Sequence, residues 1–171
     1  MSSPRHALVA TLALAMLVAL GGCTIRPLYG TTPVESGPQA DLPAINVQEP
    51  ASRAEQVYRN ALLFGLSGGA DAAASRYGLV YRMTVRQQEI AVERGTGTPN
   101  LYQLIGGVSF LLKDTSTGES IFGASVTSID TYTRSSQNFA NIRAARDAED
   151  RLAKALAQLT QARLAAYFAT H

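Results

Sequence analysis

The sequence is poor in the residues on which most enzymes and metal sites depend. Its 171 residues include one cysteine, Cys23, and two histidines, His6 and His171, one near each end. A catalytic triad needs a base, usually histidine, beside its nucleophile, and structural zinc needs clustered cysteine or histidine. A single cysteine also excludes an intramolecular disulfide. We therefore predict that the chain is not an enzyme and has no metal site.

An excess of charge of one sign is absent as well. The chain has 15 lysines and arginines against 13 aspartates and glutamates, a net charge of +2. Proteins that bind nucleic acid normally carry a strongly basic surface, so no nucleic-acid partner is predicted. The apolar fraction of 46% is too high for a wholly disordered chain. At this length, one folded domain with a tail is favoured.

The start of the chain has the pattern of a secretory signal. Residues 7–20 are apolar apart from Thr11, follow Arg5, and lead into the small residues Gly21 and Gly22. A basic start, a short apolar run and small residues before a cleavage point are typical of a signal peptide. A membrane span needs about 20 apolar residues, and this run is shorter. We predict a signal peptide at 1–22; a plain membrane anchor is the alternative.

The segment Leu20–Cys23 resembles the bacterial lipobox. In lipoproteins with this motif the leader is cut before the cysteine, the thiol carries a diacylglycerol, and the new amino group carries a fatty acid such as palmitate. The resemblance implies that Cys23 is the lipid attachment site and that these covalent lipids are the only cofactor. Acyl chains bury about 0.8 kcal/mol per methylene, enough for stable anchoring. Because Thr24 rather than aspartate follows, the resemblance also implies the cell outer membrane, on its periplasmic side.

Proline is concentrated just after the cysteine. Five of the seven prolines lie between positions 24 and 50. Proline neither continues a helix nor donates to a strand ladder. We predict a lipidated tether at 23–41 and a single domain at 42–171, which begins with a short edge strand at 44–48.

Two segments have helical patterns. Ser52 and Glu55 have the spacing of a capping box, and apolar residues recur at helical spacing until Gly68, which predicts a helix at 52–66. No glycine or proline occurs from about 138 to 169, which predicts a second helix of about 48 Å. The apolar stripe expected on it consists of Phe139, Ile142, Ala145, Ala148, Leu152, Leu156 and Leu159.

Between these helices the apolar period changes to two. This period predicts one strand from 79, another at 120–132 and a third between them, separated by turns. Past Gln88 the first alternation changes phase, which predicts a bulge or a strand that leaves the core. Gly106 and Gly107 interrupt the middle strand, as at a bulge or a close approach. The expected apolar faces are Leu79, Tyr81, Met83 and Val85 in the first of these strands and Tyr102, Leu104, Val108, Phe110 and Leu112 in the second.

The predicted order β-α-β-β-β-α defines an α+β fold. Three long strands joined by short turns form an antiparallel meander, and two amphipathic helices cover one face of it. The expected architecture is a two-layer sandwich of two helices on a sheet, which is mixed if the first strand pairs in parallel.

Several segments resemble the LptE family of lipopolysaccharide-assembly lipoproteins. They are Cys23, Leu28–Gly30, the hairpin from Ala91–Gly95 to Tyr102–Leu104, and the pattern that runs from Ser136 through Phe139 and Asp147 to Arg151. The resemblance implies two helices on a mixed four-stranded sheet. It also implies that the protein plugs the lumen of the outer-membrane β-barrel LptD, helps that barrel to assemble, and binds lipopolysaccharide on its way to the surface.

The resemblance further suggests two lipopolysaccharide-binding residues. Some family members carry a basic residue between the second and third strands and another after the fourth. Arg94 matches the first by position; Arg134 is the basic residue nearest to the second, for which Gln137 is the alternative aligned position. A guanidinium group suits bidentate contact with phosphate, although surface arginines are often only solvated. Two other functions stay open: an auxiliary lipoprotein of a lipid-transport ABC system, and a structural lipoprotein without a ligand.

Overall fold

Four strands form one sheet, and two helices cover one of its faces. The structure is a computed structural model that describes residues 41–69, 74–92 and 99–170. Cys23, Arg94 and positions 23–40 of the predicted tether lie outside the described residues. In chain order the elements are a 3₁₀ turn Leu42–Ala44, β1 Ile45–Val47, α1 Arg53–Ser67, β2 Tyr77–Val92, β3 Pro99–Asp114, β4 Ser120–Thr133 and α2 Asn138–Phe168.

The strands lie in the sheet in their sequence order, β1-β2-β3-β4. β1 pairs in parallel with β2, with Ile45 opposite Tyr77, because α1 carries the chain back to the same end of the sheet. β2, β3 and β4 pair antiparallel. The predicted α+β sandwich, with two helices on a mixed four-stranded sheet, is therefore confirmed.

The N-terminus of α1 has the capping contacts that its sequence predicts. The Ser52 hydroxyl accepts a hydrogen bond from Glu55 N at 3.2 Å, and the Glu55 carboxylate accepts one from Ala51 N at 2.7 Å. The helix ends at Gly68, whose φ of 61° is a left-handed conformation that glycine adopts without a steric cost. The helix predicted at 52–66 is thus confirmed, displaced by one residue.

The two helices pack side by side and run in the same direction. Arg53 at the start of α1 binds Asp150 of α2 at 2.8 Å. Five residues further along α1, Tyr58 Oη donates to Thr160 Oγ1 of α2 at 3.1 Å inside the core. Burial raises the pKa of Tyr58, so its hydroxyl stays a neutral donor. This bond satisfies two polar groups that the helix interface would otherwise bury without partners.

The core lies between the helices and one face of the sheet. The apolar face predicted for β3 is buried along its whole length. In its middle, an ideal Cβ on Gly106 would lie 2.8 Å from Leu156 Cδ1 and 3.0 Å from Leu152 Cδ2. The missing side chain therefore lets α2 approach the sheet, and the close approach predicted at Gly106 is confirmed.

The apolar stripe predicted for α2 is wrong at its ends. Phe139 is 85% exposed, and Ile142 and Leu159 are exposed as well. Because α1 begins beside Asp150, about the first three turns of α2 have no helix next to them. The residues that α2 does bury are Asn141, Ala148, Leu152, Ala153, Leu156, Ala157, Thr160, Leu164 and Ala165.

β2 extends beyond the helix layer. Leu79 and Tyr81 are buried, but Val85 is 36% exposed, so its predicted place in the core is wrong. Every residue from Thr84 to Ala91 is exposed, because no helix covers this part of the strand. The register with β3 shifts on both sides of Ala91, which confirms the irregularity predicted past Gln88.

We expect Gly106→Val to lower the free energy of unfolding by about 1–3 kcal/mol, because the new side chain would overlap Leu152 and Leu156. The matched control is Gly78→Val, since an ideal Cβ on Gly78 meets no atom within 4 Å. Urea unfolding of both variants measures the difference. Equal stability of the two variants would show that the approach of α2 does not depend on Gly106.

Candidate functional site

Arg134, one of the two arginines singled out from the sequence, lies at one end of the sheet. Val92 pairs with Pro99, and Leu101 pairs with Thr133, so β2 ends, β3 begins and β4 ends at the same place. Arg134 follows β4 directly. The segment that contains Arg94, outside the described residues, connects Val92 to Pro99.

Arg134 is held in place by its neighbours on β3. Its backbone N donates to Asn100 O at 2.8 Å, and its guanidinium carbon lies 5.3 Å from the centre of the Tyr102 ring. Nη1 donates to Tyr102 Oη at 3.3 Å, and Tyr102 in turn stacks on Tyr132 at 5.4 Å. Within the described residues no carboxylate pairs with Arg134. Its side chain is therefore an oriented cation with N–H donors to spare.

Asn141 fixes the connection between β4 and α2. Its Oδ1 accepts from Ser135 N at 2.8 Å, and its Nδ2 donates to Ser135 O at the same distance. The side chain is 9% exposed and is one of the two buried polar residues of the described chain. These bonds hold the backbone immediately after Arg134 against the helix. The sequence offers no pattern that predicts this role.

A second contact joins the end of β4 to α2. Both oxygens of Asp130 accept from Arg151, from Nε and Nη2 at 2.9 Å each, and Arg151 also binds Asp147. The hydrogen bond from Arg151 holds the pKa of Asp130 below its usual value and raises the pKa of Arg151. Arg151 Nη2 also donates to Thr131 O at 3.2 Å. This bidentate pair anchors the strand that leads into Arg134.

The sheet face that the helices leave open carries cations and no anions. Arg82 and Arg86 on β2 and Lys113 on β3 belong to this face by strand alternation, and the register aligns Arg82 with Ser109 and Arg86 with Ile105. The acidic residues of the described strands, Glu89, Asp114 and Asp130, fall on the opposite alternation. Between the cations lie exposed apolar side chains, among them Val80, Leu111 and Ile129.

Exposed apolar side chains occur on the helix layer too. Phe64 of α1 is 70% exposed and Phe139 of α2 is 85% exposed, and Ile142 and Leu159 add to them. The molecule therefore presents large apolar side chains on both of its layers. Among the described residues, no helix is long and apolar enough to cross a membrane, and no group of three or more potential ligands could hold a metal ion.

Two solved lipoprotein structures have a similar architecture. A lipoprotein from Caulobacter crescentus CB15 is 21% identical, with a TM-score of 0.65 over 78% of this chain and 97% of that chain. A minor lipoprotein from Acinetobacter baumannii is 20% identical, with a TM-score of 0.54 over 72% of this chain and 90% of that chain. At these identities the likeness shows the fold alone.

The family follows from the sequence itself. The LptE family model, described as lipopolysaccharide-assembly, matches residues 42–164. The chain belongs to the LptE family, and the family resemblance found in its motifs is confirmed. No curated protein matches the sequence.

The Asp130–Arg151 pair has an expected pH dependence. Because the pKa of Asp130 is lowered in the folded state, its contribution is present above the unfolded pKa of about 3.9 and is lost as pH falls through the folded pKa. Asp130→Asn should therefore cost about 1 kcal/mol at pH 7, and the deficit should shrink below about pH 4. Asp147→Asn, which removes the more exposed partner of Arg151, is the control and should cost less. Denaturant unfolding at several pH values measures both, and a pH-independent deficit for Asp130→Asn would contradict this account.

Proposed function

We propose that this LptE-family protein is an outer-membrane lipoprotein, anchored through lipids on Cys23, that binds lipopolysaccharide and plugs the LptD β-barrel while helping it to assemble. Its role is the insertion of lipopolysaccharide into the outer leaflet. The family match to residues 42–164 is the observation that carries the proposal. The protein acts by binding rather than catalysis, and its covalent lipids serve as an anchor on the periplasmic side.

The distribution of exposed apolar side chains supports enclosure by a partner. Single exposed apolar residues are normal, and an ordinary docking surface gathers them on one side. Here Phe64 and Phe139 project from the helix layer, whereas Leu111 and Ile129 project from the opposite sheet face. A barrel that surrounds the protein would cover both layers at once, which a partner docked on one side would not.

The free cations support a phosphorylated ligand. Arg134 at the hairpin end has no carboxylate partner among the described residues, and the open face adds Arg82 and Arg86 without an acidic neighbour on that face. Guanidinium groups bind phosphate oxygens in a bidentate manner. Because Arg134 is already oriented by Tyr102, little side-chain entropy is lost on binding. Such groups could replace the divalent cations that bridge lipopolysaccharide phosphates.

We expect Arg94→Asp and Arg134→Asp each to weaken lipopolysaccharide binding about tenfold, the loss of one charge-assisted contact of about 1.5 kcal/mol. Melting temperatures should stay unchanged, because Arg134 is exposed. The control is Arg163→Asp, another exposed arginine, about 37 Å along α2 from its first residue. Titration of the mature protein with purified lipopolysaccharide measures the affinities. An equal loss in Arg163→Asp would mean that only net charge matters, and unchanged binding by the first two variants would contradict the site.

If the barrel encloses the protein, photo-crosslinking residues on both of its layers should capture LptD. Photo-crosslinking residues placed at Phe64, Phe139 and Leu111, which lie on both layers, should each form an adduct with LptD in living cells. The same positions combined with Cys23→Ser should give less adduct, because that protein lacks its proposed anchor. Capture from one layer only would contradict enclosure. Capture of inner-membrane transporter subunits would instead support the auxiliary lipoprotein of an ABC system.

A further inference from the structure

The outer edge of β4 is an open hydrogen-bonding surface. Arg134 N donates inward to Asn100 O, whereas Thr131 N donates to its neighbour's carboxylate, Asp130 Oδ1, at 2.6 Å. Because the register with β3 is continuous from Phe122 to Thr133, odd-numbered residues point their backbone groups outward. Within the described chain, the outward groups of four residues have no hydrogen bond: Gly123, Ser125, Thr127 and Ile129.

Local contacts define where the open part of the β4 edge begins and ends. At Thr131 the outward N–H is bound by Asp130, and the outward carbonyl accepts from Arg151. At the other end the register shifts beside Lys113, opposite Ser120. The open length is therefore about seven residues, from Gly123 to Ile129, and none of these residues carries a charge. Natural edge strands are usually protected by charge, proline or a bulge, and this stretch has none of them.

The position of α2 decides what can pair with this edge. α2 runs along β4: Tyr167 stacks on Phe122 at 4.6 Å near one end, and Arg151 binds Asp130 near the other. In an antiparallel edge-to-edge pair with a second copy, both α2 helices would lie on the same sheet face, one on each side of the new strand pair. A single strand without a helix fits this edge without bringing two helices together.

The tether of this chain is a poor occupant as well. Pro27, Pro33 and Pro38 divide it into stretches of at most five residues, and each proline lacks the N–H that a paired strand donates. The occupant is therefore a segment of another polypeptide. Its side chains on one face would lie beside the half-buried Phe122 and Ala124, and on the other face beside exposed Thr127. Such a segment alternates apolar with polar residues.

We propose that an extended, uncharged segment of about seven residues from the barrel partner adds to the Gly123–Ile129 edge as a fifth strand. This inference rests on the proposed function. Strands of a closed barrel are already paired on both sides, so the segment belongs to a part of that protein outside its barrel wall. Strand addition would close the uncharged part of the β4 edge and fix the angle at which the lipoprotein sits.

The test uses the full-length lipoprotein in cells. A photo-crosslinking residue at Thr127 should form an adduct with the barrel protein, and peptide mapping should place the adduct in a non-barrel segment. Thr127→Pro removes one outward donor and leaves the ladder with β3 intact, so the melting temperature should stay within a few degrees while co-purified barrel protein falls at least fivefold. Thr133→Pro is the matched control, because its outward N–H lies beyond the closed position at Thr131. Ser125→Lys, which places a charge on the edge without touching the backbone, serves as a second variant if proline destabilises the fold.

Each outcome decides the proposal. Loss of co-purification in Thr127→Pro or Ser125→Lys but not in Thr133→Pro supports strand addition. Unchanged co-purification in both edge variants overturns it, and so does an adduct at Thr127 that joins two copies of this chain or lies within the barrel wall. If Phe64, Phe139 and Leu111 also capture no barrel protein, the proposed function fails. If those positions capture it and Thr127 does not, only strand addition fails.

Discussion

The close packing of α2 on the middle of β3 is the contact on which the rest of the structure depends. Leu152 and Leu156 lie over Gly106, so closely that an added Cβ would force these leucine side chains to shift. Because this contact draws α2 down on β3 and β4, the helix can also reach Asp130 through Arg151 and Phe122 through Tyr167. α1 is then held to α2 by Tyr58 and Thr160, so both helices share one sheet face.

Because the helices cover only one face of the sheet, the other face and the strand edges remain exposed. A four-stranded sheet covered by two helices keeps one face open, and β2, about 53 Å long, extends past α1, which is about 22 Å long. The exposed part of β2, the open face with Arg82 and Arg86, and the free edge of β4 all follow from this imbalance. A protein that functioned alone would avoid edge-to-edge association by shortening these strands or by placing charge along the edge. Their retention is understandable if a partner covers them.

Most of the fold could be predicted from the sequence because local patterns and the final packing agree. The capping pair Ser52 and Glu55 and the alternation in β3 form as predicted, and of the two alternatives for Gly106, a bulge or a close approach, the close approach forms. The errors occurred where a local pattern continues past the end of its packing partner. Val85 continues the alternation of β2 and Phe139 continues the periodicity of α2, yet no neighbour covers either. Which segment extends past its packing partner depends on how α1 and α2 align. That alignment is set by tertiary packing and not by a local pattern.

For the candidate site, the sequence could locate residues but not their surroundings. Arg134 was identified by its place after the fourth strand, whereas its support by Tyr102 and Asn141 required the register and the helix position. The strand register also separates Arg134 from the start of the described chain. Asp41, where the described chain begins, binds Arg76 beside the start of β2, at the end of the sheet opposite Arg134. Across the 16 residues of β2, the two ends lie about 50 Å apart. The described chain therefore begins at one end of the sheet and presents the Arg134 guanidinium at the other.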